Sequence, residues 1–309
     1  MPNQDMLAII IPTKDRPESL ARLLQSIAIQ STKPAQVIVV DAGAVLAEQV
    51  IKEFPQLPID YIQTSASLTH QRNVGLKMLK KEIRFVAFFD DDVELYAQTT
   101  GVAMKFLLKS GSEVAAIACN GINYIRAKTF FLEKLFLISN DGVGVLLPSG
   151  FQSRIWPVDN DYQVQWVMGG ATFWRRSIFN SYQFDEWFHG YAHCEDIDFS
   201  YRVSQKYKFF ILKDAKIVHK TASIEKKSEY SLGKMQVINR LYFVKKSSSL
   251  SVPLCYWACS GLFLKNIILG TVSLNCRYLL RGFGVLVGLA ESFFRLKKVK
   301  ENVEKVKTQ

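Results

Sequence analysis

Three successive carboxylates, Asp90, Asp91 and Asp92, directly follow the apolar run Phe85–Phe89. Adjacent negative charges repel one another unless a positive charge lies among them, and a divalent cation with oxygen ligands meets that need. Hard cations of this kind bind one or two protein carboxylates and take further ligands from substrate phosphates. The pattern therefore predicts a Mg²⁺ or Mn²⁺ site and a diphosphate substrate. The alternative, an acidic loop in water, is disfavoured by the apolar run before it.

Two hydrogen-bond donors, Arg72 and Asn73, stand at the start of a predicted helix over residues 69–81, which precedes the acidic strand. Side chains of these types donate to phosphate or ribose, and the N-terminus of a helix adds a favourable potential for anions. Their position predicts substrate contacts. An ordinary surface charge is the alternative for Arg72.

Glycine-rich phosphate loops of the common types are missing from the sequence. Gly142 and Gly144 are followed by Leu147 where the dinucleotide-binding pattern requires glycine, and no G-x-x-x-x-G-K sequence occurs. The sequence thus excludes a dinucleotide-binding fingerprint and a P-loop.

The elements that position these residues begin with two apolar runs, Met6–Ile11 and Val37–Val40, separated by a loop and a helix-type periodicity. This order predicts a βαβ unit, and continuous apolar strands indicate a parallel sheet covered on both faces. Ligands of open parallel sheets bind beyond the carboxyl ends of the strands. We therefore expect Thr13, Asp41 and Asp90, which end three strands, to lie at one edge.

The second half of this region is less regular. Residues 112–187 contain short apolar runs broken by glycines, which we interpret as a substrate-facing half. Two further short strands are predicted at Phe209–Leu212 and Lys216–Val218, and His219 ends the second of them.

In their order along the chain, these residues resemble the nucleotide-sugar half of a glycosyltransferase family 2 enzyme with the GT-A fold. The motifs that carry the resemblance are Ile9–Thr13 with Arg16 and Pro17, Val40–Asp41, Gln71–Leu76 and Phe89–Asp92. A later series is similar to the acceptor half of that family: Gly169–Ala171 with Arg175 and Arg176, Phe184–Glu186, and Glu195–Phe199 with Arg202. The resemblance covers about residues 6–222 and implies an α/β fold with a mostly parallel sheet and helices on both faces.

This resemblance implies a role for each matching residue. The loop at Pro12–Thr13 and Asp41 would line the base and ribose, Asp90 would face the ribose, and Asp92 would bind the metal. His219 resembles a late histidine of the family that completes the metal shell, and neutral imidazole is a legitimate ligand. A structural role is the alternative for His219. The implied substrate-binding residues are Pro12, Thr13, Arg16, Asp41, Arg72, Asn73, Asp90, Asp91, Gly169 and Gly170, and the implied metal ligands are Asp92, Asp90 and His219.

Transfer of a sugar from a nucleotide diphosphate also requires a carboxylate that removes the proton of the acceptor hydroxyl. Glu195, Asp196 and Asp198 are candidates, but residues 195 and 198 share one side of a helix while 196 points about 100° away, so spacing does not choose. The resemblance favours Asp196 over Glu195. It also implies inversion at the anomeric carbon, and the absence of a Q-x-x-R-W sequence favours the addition of one sugar per encounter. A purely capping role for these acids is the alternative.

Two further questions stay open at this level. Ala42 and Ala44 stand where the family often has polar residues that touch the base, so the sequence does not choose between UDP, dTDP and GDP. Stacking on sugar rings and burial in the core are both open for four aromatic residues near the acidic helix, namely Trp166, Trp187, Phe188 and Tyr191. Zinc at His189 and His193 is disfavoured because no convincing fourth ligand is near.

The basic charge is concentrated in the C-terminal part of the chain. The formal net charge is +11, and residues 240–309, with 12 Lys/Arg and 3 Asp/Glu, carry +9 of it. Apolar segments beside these charges predict a helical region that associates with a membrane surface, and the stretch 247–271 is of borderline length for a span. The five cysteines lack C-x-x-C spacing and the first forty residues lack a signal-peptide pattern, so we expect the cytoplasmic face of a membrane.

These observations predict a GT-A domain over residues 1–225, divided into a nucleotide-sugar half (1–111) and an acceptor half (112–225), followed by a membrane-associating region (226–309). The predicted function is metal-assisted transfer of one sugar from a nucleotide diphosphate to a lipid-linked or surface-polysaccharide acceptor. A nucleotidyltransferase and an inactive GT-A-like scaffold are the alternatives. Nucleic-acid binding ranks last, because the basic residues lie beside long apolar runs.

Overall fold

The computed structural model describes residues 6–45, 47–125, 128–220 and 229–307, with side-chain environments up to residue 292. The chain divides into two compact units. We call them the sheet unit, residues 1–126 and 155–222, and the helical unit, residues 127–154 and 223–309. Residues 127–154, which the sequence analysis assigned to the acceptor half, therefore group with the C-terminal helices. The functional division at residues 111 and 225 stays a prediction.

The sheet unit is built on one mixed sheet with helices, which confirms the predicted α/β class. The strands follow the spatial order β3-β2-β1-β4-β8-β6-β9-β5, and β7 pairs with β9 outside this path. The strands are β1 (Leu7–Thr13), β2 (Gln36–Asp41), β3 (Ile59–Gln63), β4 (Phe85–Phe89), β5 (Val93–Leu95), β6 (Val114–Gly121), β7 (Tyr162–Val164), β8 (Ala171–Arg175) and β9 (Lys208–His219). The helices of this unit are α1 (Pro17–Ala28), α2 (Glu48–Lys52), α3 (Leu68–Lys77), α4 (Thr99–Lys109) and α6 (Glu195–Ser204), with a 3₁₀ helix at Arg176–Asn180.

The first four strands are parallel, as their continuous apolar sequences predict. Strand β1 lies between β2 and β4, so the order of strands reverses there, and an open sheet binds its ligands at such a switch point. In register, Thr13 lies opposite Asp41, and β4 ends beside them with Asp90 following. The predicted edge of polar strand ends is thus confirmed.

The second half of the sheet is antiparallel at β8, which pairs with both β4 and β6. The prediction of two short strands near residues 209–218 is wrong, since β9 is a single strand whose pairing with β6 shifts register between Ala118 and Asn120. The shift lets the strand continue where the sequence suggests a break. Pairing of β5 with β9 places Val93 opposite His219, and so brings Asp92 beside the histidine.

Helix α3 is attached to the sheet by Gln71. Its Nε2 donates to the carbonyl oxygens of Thr13 at 2.9 Å and Val40 at 2.8 Å, which joins the ends of β1 and β2 to the first turn of the helix. Gly75 lets the same helix approach β1, because a Cβ there would lie 2.5 Å from Cγ2 of Ile10. The helix ends at Lys77, earlier than the predicted range of 69–81.

The helical unit contains α5 (Phe131–Leu135), α7 (Glu229–Lys246), α8 (Val252–Val272) and α9 (Cys276–Lys307). Helices α7 and α9 pack closely where a Cβ on Gly284 would lie 2.0 Å from the carbonyl oxygen of Tyr230. Helix α8 joins α5 through Lys265, whose Nζ lies 2.7 Å from Oε1 of the buried Glu133. Among the described residues, α8 is long and apolar enough to cross a membrane by length and composition.

We predict that Gln71→Leu lowers the free energy of unfolding by about 2 to 3 kcal/mol, because two buried carbonyl groups lose a donor. Urea titration of the intact chain measures this value. Gln25→Leu, on the exposed face of α1, is the matched control and should change stability by less than about 0.5 kcal/mol. Equal stabilities of the two variants would contradict the role of Gln71.

Candidate active site

The three carboxylates that follow β4 lie in different environments. Asp91 is buried, and its Oδ2 accepts a hydrogen bond from Oγ1 of Thr13 at 2.8 Å. Its Oδ1 accepts from Nη1 of Arg16 at 3.2 Å. Both donors, which the sequence analysis predicted to bind substrate, are used in joining the β1–α1 loop to the acidic loop.

Burial raises the pKa of Asp91 to about 6, against the lowering effects of Thr13 and Arg16. The neighbouring charges of Asp90 and Asp92 raise it further. The carboxylate is therefore poorly stabilised as an anion without a further positive charge near the loop.

Arg72 is buried between two carboxylates, and its side chain is only 1% exposed. Nη1 lies 2.7 Å from Oε1 of Glu195, and Nη2 lies 3.2 Å from Oδ1 of Asp90. Burial alone would lower the pKa of this guanidinium, but Asp90 and Glu195 outweigh that effect and raise it, so it stays charged. Arg72 therefore holds the acidic loop and the start of α6 at fixed positions.

The glycine pair Gly169–Gly170 packs directly against this ion pair. A Cβ on Gly169 would lie 2.5 Å from Nη1 of Arg72, and one on Gly170 would lie 2.0 Å from Oδ2 of Asp90. The carbonyl oxygen of Gly170 also accepts from the backbone N–H of Asp90 at 3.0 Å. No larger residue fits at Gly170 without moving Asp90, whose side chain is 36% exposed.

Asp92 and His219 form the second polar pair of the site. Nε2 of His219 lies 3.2 Å from Oδ1 of Asp92, while Nδ1 lies 2.6 Å from the hydroxyl oxygen of Tyr124. Burial lowers the pKa of His219, but the hydrogen bond and charge of Asp92 outweigh it and raise the pKa. Tyr124, which the sequence analysis did not identify, fixes the ring plane of the histidine.

The donor set fits a hard divalent cation. Within residues 6–45, 47–125, 128–220 and 229–292, no group of three or more His, Cys, Asp or Glu residues stands ready to hold a metal ion. A cation of this class needs only one or two protein carboxylates when diphosphate and water complete its shell. The carboxylate of Asp92, the imidazole of His219 and the partly exposed carboxylate of Asp90 supply that chemistry.

Burial separates the three acids of α6. Glu195 is buried against Arg72, and burial and the charge of Asp196 raise its pKa against the opposing effect of that arginine. Asp198 is buried and pairs with Nε of Arg202 at 3.1 Å. Asp196 alone of the three is partly exposed, at the first turn of the helix.

The predicted base and ribose contacts lie at the ends of β1 and β2, and the loops that follow these strands pack together. Asp41 is fully buried, and its oxygens accept from the backbone N–H groups of Gly43 at 2.8 Å and Ala47 at 2.9 Å. Oδ1 of Asp15 accepts from the N–H groups of Ala44 and Val45 and so clamps the same loop. Asp15 was missed because nothing in the sequence marks its position, although it has a positive φ of 53°. Pro12 lies within β1, buried opposite Val40.

Asn73 shapes the loop that leads to α6. Its Nδ2 donates to the carbonyl oxygen of Phe184 and to Oε1 of Glu186, both at 2.9 Å. Glu186 also lies 3.0 Å from Nδ1 of His70. These three polar side chains attach the loop to α3, and His70 was not identified from the sequence.

Of the four aromatic residues that the sequence left open, Trp166 and Phe188 are buried. Tyr191 is exposed, and its pKa is raised by burial of part of the ring and by the charges of Asp90, Glu195, Asp92 and Asp196. The structure thus places an exposed tyrosine among the acids of the site.

Some of the predicted site residues lie together in the structure, and others form hydrogen bonds that hold the surrounding loops. Those that gather are Asp90, Asp92, Arg72, Glu195, Asp196 and His219. Thr13, Asp41, Asn73 and Asp91 have side-chain polar atoms bonded within the protein, and Arg16 has one, its Nη1. Their contacts with substrate stay a prediction.

We predict that Asp91→Asn reduces the pH dependence of stability. Because the folded-state pKa of about 6 exceeds 3.8, protonation of Asp91 stabilises the fold below the unfolded value, and this contribution is lost as pH rises through 6. The free energy of unfolding of the variant relative to the wild type should rise by about 2 to 3 kcal/mol from acidic to neutral pH. Urea titrations with a chelator at each pH measure it. Asp214→Asn, at an exposed acid of the same unit, is the reference variant.

Comparison with known proteins assigns the chain to a family. The sequence matches the family described as glycosyl transferase family 2 over residues 8–183, which is more than half of the chain. A solved mannosyltransferase from Pyrobaculum calidifontis, PcManGT, in complex with GDP-Man and Mn²⁺, is 13% identical, with a TM-score of 0.57 over 93% of this chain and 86% of that chain.

The structure of residues 1–349 of TarS from S. aureus is 16% identical, with a TM-score of 0.52 over 94% of this chain and 91% of that chain. No curated protein sequence matches the chain. The structural similarities show the GT-A fold, and the sequence match shows the family. The chain belongs to glycosyl transferase family 2 and is a glycosyltransferase that uses a nucleotide-sugar donor.

Proposed function

We propose that this protein is an inverting glycosyltransferase that moves one sugar at a time to an acceptor hydroxyl, with Asp196 as general base. The observation that carries the proposal is the contrast within α6: Glu195 and Asp198 are buried and paired with arginines, while Asp196 is partly exposed beside them. A base must reach the proton that it removes. Among the three acids, only Asp196 meets that requirement.

The donor diphosphate would lie at the carboxyl ends of β1 and β4, the switch point of the sheet. Asp92 and His219 would hold a Mg²⁺ or Mn²⁺ ion there, with Asp90 on the ribose side. The bound ion supplies neutralisation of the charge that develops on the leaving diphosphate. The solved mannosyltransferase was determined with GDP-Man and Mn²⁺, a donor and a metal of the same classes.

Arg72 acts in this proposal as a positioning residue. It lies 3.2 Å from Asp90 and 2.7 Å from Glu195, so it sets the distance between the donor side and the start of α6, where the acceptor would be deprotonated. Its positive charge would also stabilise the negative charge that develops on the leaving diphosphate.

The stereochemistry follows from the use of a single base. Asp196 accepts the proton of the acceptor hydroxyl, the hydroxyl oxygen attacks the anomeric carbon on the face opposite the diphosphate, and the bond to the diphosphate breaks. One in-line displacement inverts the configuration. Tyr191, exposed beside these acids, offers a ring face and a hydroxyl group to the sugars.

The proposed acceptor is lipid-linked or part of a surface polysaccharide, and the proposed location is the cytoplasmic face of a membrane. The apolar helix α8 and the charge of +9 over residues 240–309 support it. The cluster Arg295–Lys300, part of the predicted membrane contact, lies outside the residues whose side chains are described. The identity of the nucleotide base would depend on the positions of Ala42 and Ala44, beside the backbone groups that Asp15 and Asp41 bind.

We expect metal-dependent binding of one nucleotide among UDP, dTDP and GDP, because Asp92 and His219 would hold the ion that neutralises the diphosphate. Titration calorimetry of the intact protein with and without Mn²⁺ measures it. Asp92→Ala should abolish the dependence on Mn²⁺, while Asp214→Ala, an exposed acid elsewhere in the sheet unit, should leave it unchanged. Equal binding by the wild type with and without Mn²⁺ would contradict the proposed metal role.

With the donor nucleotide identified by that titration, the base can be tested. We predict that Asp196→Asn lowers the rate of donor-sugar transfer about 10²- to 10⁴-fold, the usual contribution of a general base. Nucleotide affinity should stay within about twofold, since Asp196 does not contact the diphosphate in this proposal. Release of nucleoside diphosphate from the sugar donor measures the rate. An unchanged rate in Asp196→Asn, with Asp214→Asn as the reference, would remove Asp196 from the mechanism.

A further inference from the structure

The hairpin formed by α8 and α9 exposes an apolar face that the helical unit does not cover. The exposed large apolar side chains by which we define this face are Leu264, Ile268, Val272, Leu274, Leu280 and Phe283. The first three follow each other at four-residue spacing on α8, and the last two are three apart on α9, so each set forms one stripe. An exposed apolar stripe bordered by polar residues is typical of an interaction surface.

The turn of the hairpin carries a residue that helix stability does not explain. The N–H of Asn275 bonds to the carbonyl of Gly270 and the N–H of Leu274 to that of Thr271, which is the Schellman arrangement at the end of α8. Its left-handed position normally holds glycine or asparagine, but here Leu274 occupies it with a φ of 51°. This side chain is 92% exposed. A leucine in a strained, exposed position indicates a contact outside the chain.

Charge identifies the partner. Residues 247–290 contain no Asp or Glu, while Lys265, Arg277 and Arg281 are basic. Lys265 and Arg281 are paired with Glu133 and Glu229 inside the helical unit, whereas Arg277 is exposed at the hairpin turn. An apolar face that carries the exposed Arg277, on a segment without Asp or Glu of its own, is complementary to an anionic lipid leaflet. A second copy of the same face would bring like charges together.

The interior of the helical unit argues against a span. Near the middle of α8, the Nζ of Lys265 lies 2.7 Å from Glu133, and Asn266 is buried. Trp257 on the same helix stacks on Phe136, with ring centroids 4.5 Å apart. Helix α8 is thus one wall of a packed unit, with a single face left for lipid.

We propose that this α8–α9 face lies in the headgroup region of an anionic leaflet, with Leu274 and Phe283 contacting the acyl chains and Arg277 the phosphates. The proposal deepens the membrane association proposed above and rests on it. It assigns the contact to one face of a folded hairpin, parallel to the leaflet surface, and to named side chains.

The chain offers a natural site for a reporter. Four of the five cysteines are buried, and Cys276 is exposed next to the hairpin turn. A polarity-sensitive thiol probe attached there to the full chain should shift its emission to the blue with vesicles of phosphatidylcholine and phosphatidylglycerol, and less with phosphatidylcholine alone. An emission spectrum unchanged by both kinds of vesicle would overturn the proposal. Complete protection of the probe from a membrane-impermeant reductant outside the vesicles, lasting until the vesicles are lysed, would also overturn it, because a span would carry Cys276 across.

Leu274→Asn separates lipid contact from folding. Asparagine suits the left-handed position, so the free energy of unfolding should stay equal or rise, while vesicle affinity in flotation should fall about tenfold. Ile125→Asn is the matched control, since Ile125 is 91% exposed but lies in the sheet unit, and it should bind vesicles like the wild type. Unchanged flotation of Leu274→Asn would contradict the proposal. The proposal would also be contradicted if the wild type sediments as a dimer and Leu274→Asn as a monomer with unchanged lipid binding. That result would assign the face to a second copy.

Arg277→Gln tests the electrostatic part. We expect about fivefold weaker binding to the anionic vesicles and no change with phosphatidylcholine alone. Nucleotide titration with Mn²⁺ on the same variants keeps the two proposals apart. If the wild type binds nucleotide but not vesicles, only the proposed lipid contact is wrong. If it binds vesicles but not nucleotide, only the proposed donor chemistry is wrong.

Discussion

The buried guanidinium of Arg72 is the constraint on which the site depends. Its charge lies between Asp90 at 3.2 Å and Glu195 at 2.7 Å, and a buried charge without partners is strongly destabilising. The loop after β4 and the first turn of α6, 123 residues away from Arg72 in sequence, must therefore meet at this point. The glycine pair 169–170 is the further consequence, since a side chain at either position would collide with the ion pair.

The three adjacent carboxylates after β4 have three different binding partners. Asp90 forms an ion pair with Arg72. Asp91 accepts hydrogen bonds from Thr13 and Arg16. Asp92 contacts His219, which the pairing of β5 with β9 brings beside it. Successive residues of an irregular segment point in different directions, so one short sequence reaches three separate elements. The charge repulsion among them is reduced in the protein by arginines and, in the proposed function, by a divalent cation.

The helical unit combines a closely packed interior with an exposed apolar face. Its interior is joined by close glycine contacts between α7 and α9 and by the pair of Lys265 and Glu133, while the α8–α9 face is apolar toward the outside. Stability of the hairpin and exposure of that face are in conflict at Leu274, where a glycine or asparagine would cost less. Such a conflict is expected where a residue serves binding and not folding.

The α/β class and the polar strand ends at Thr13, Asp41 and Asp90 are predictable from the sequence alone, because apolar runs and parallel-strand geometry depend on local pattern. The family is predictable because the ordered motifs of the chain resemble it. The sequence leaves Glu195, Asp196 and Asp198 unresolved, since helical spacing gives direction but not burial. It predicts that Arg72 and Asn73 bind substrate, which stays a prediction, but it does not reveal their partners Glu195 and Phe184, more than a hundred residues away. The tertiary fold sets which polar atoms form hydrogen bonds within the protein, because partners distant in sequence meet only when the sheet and α6 are assembled.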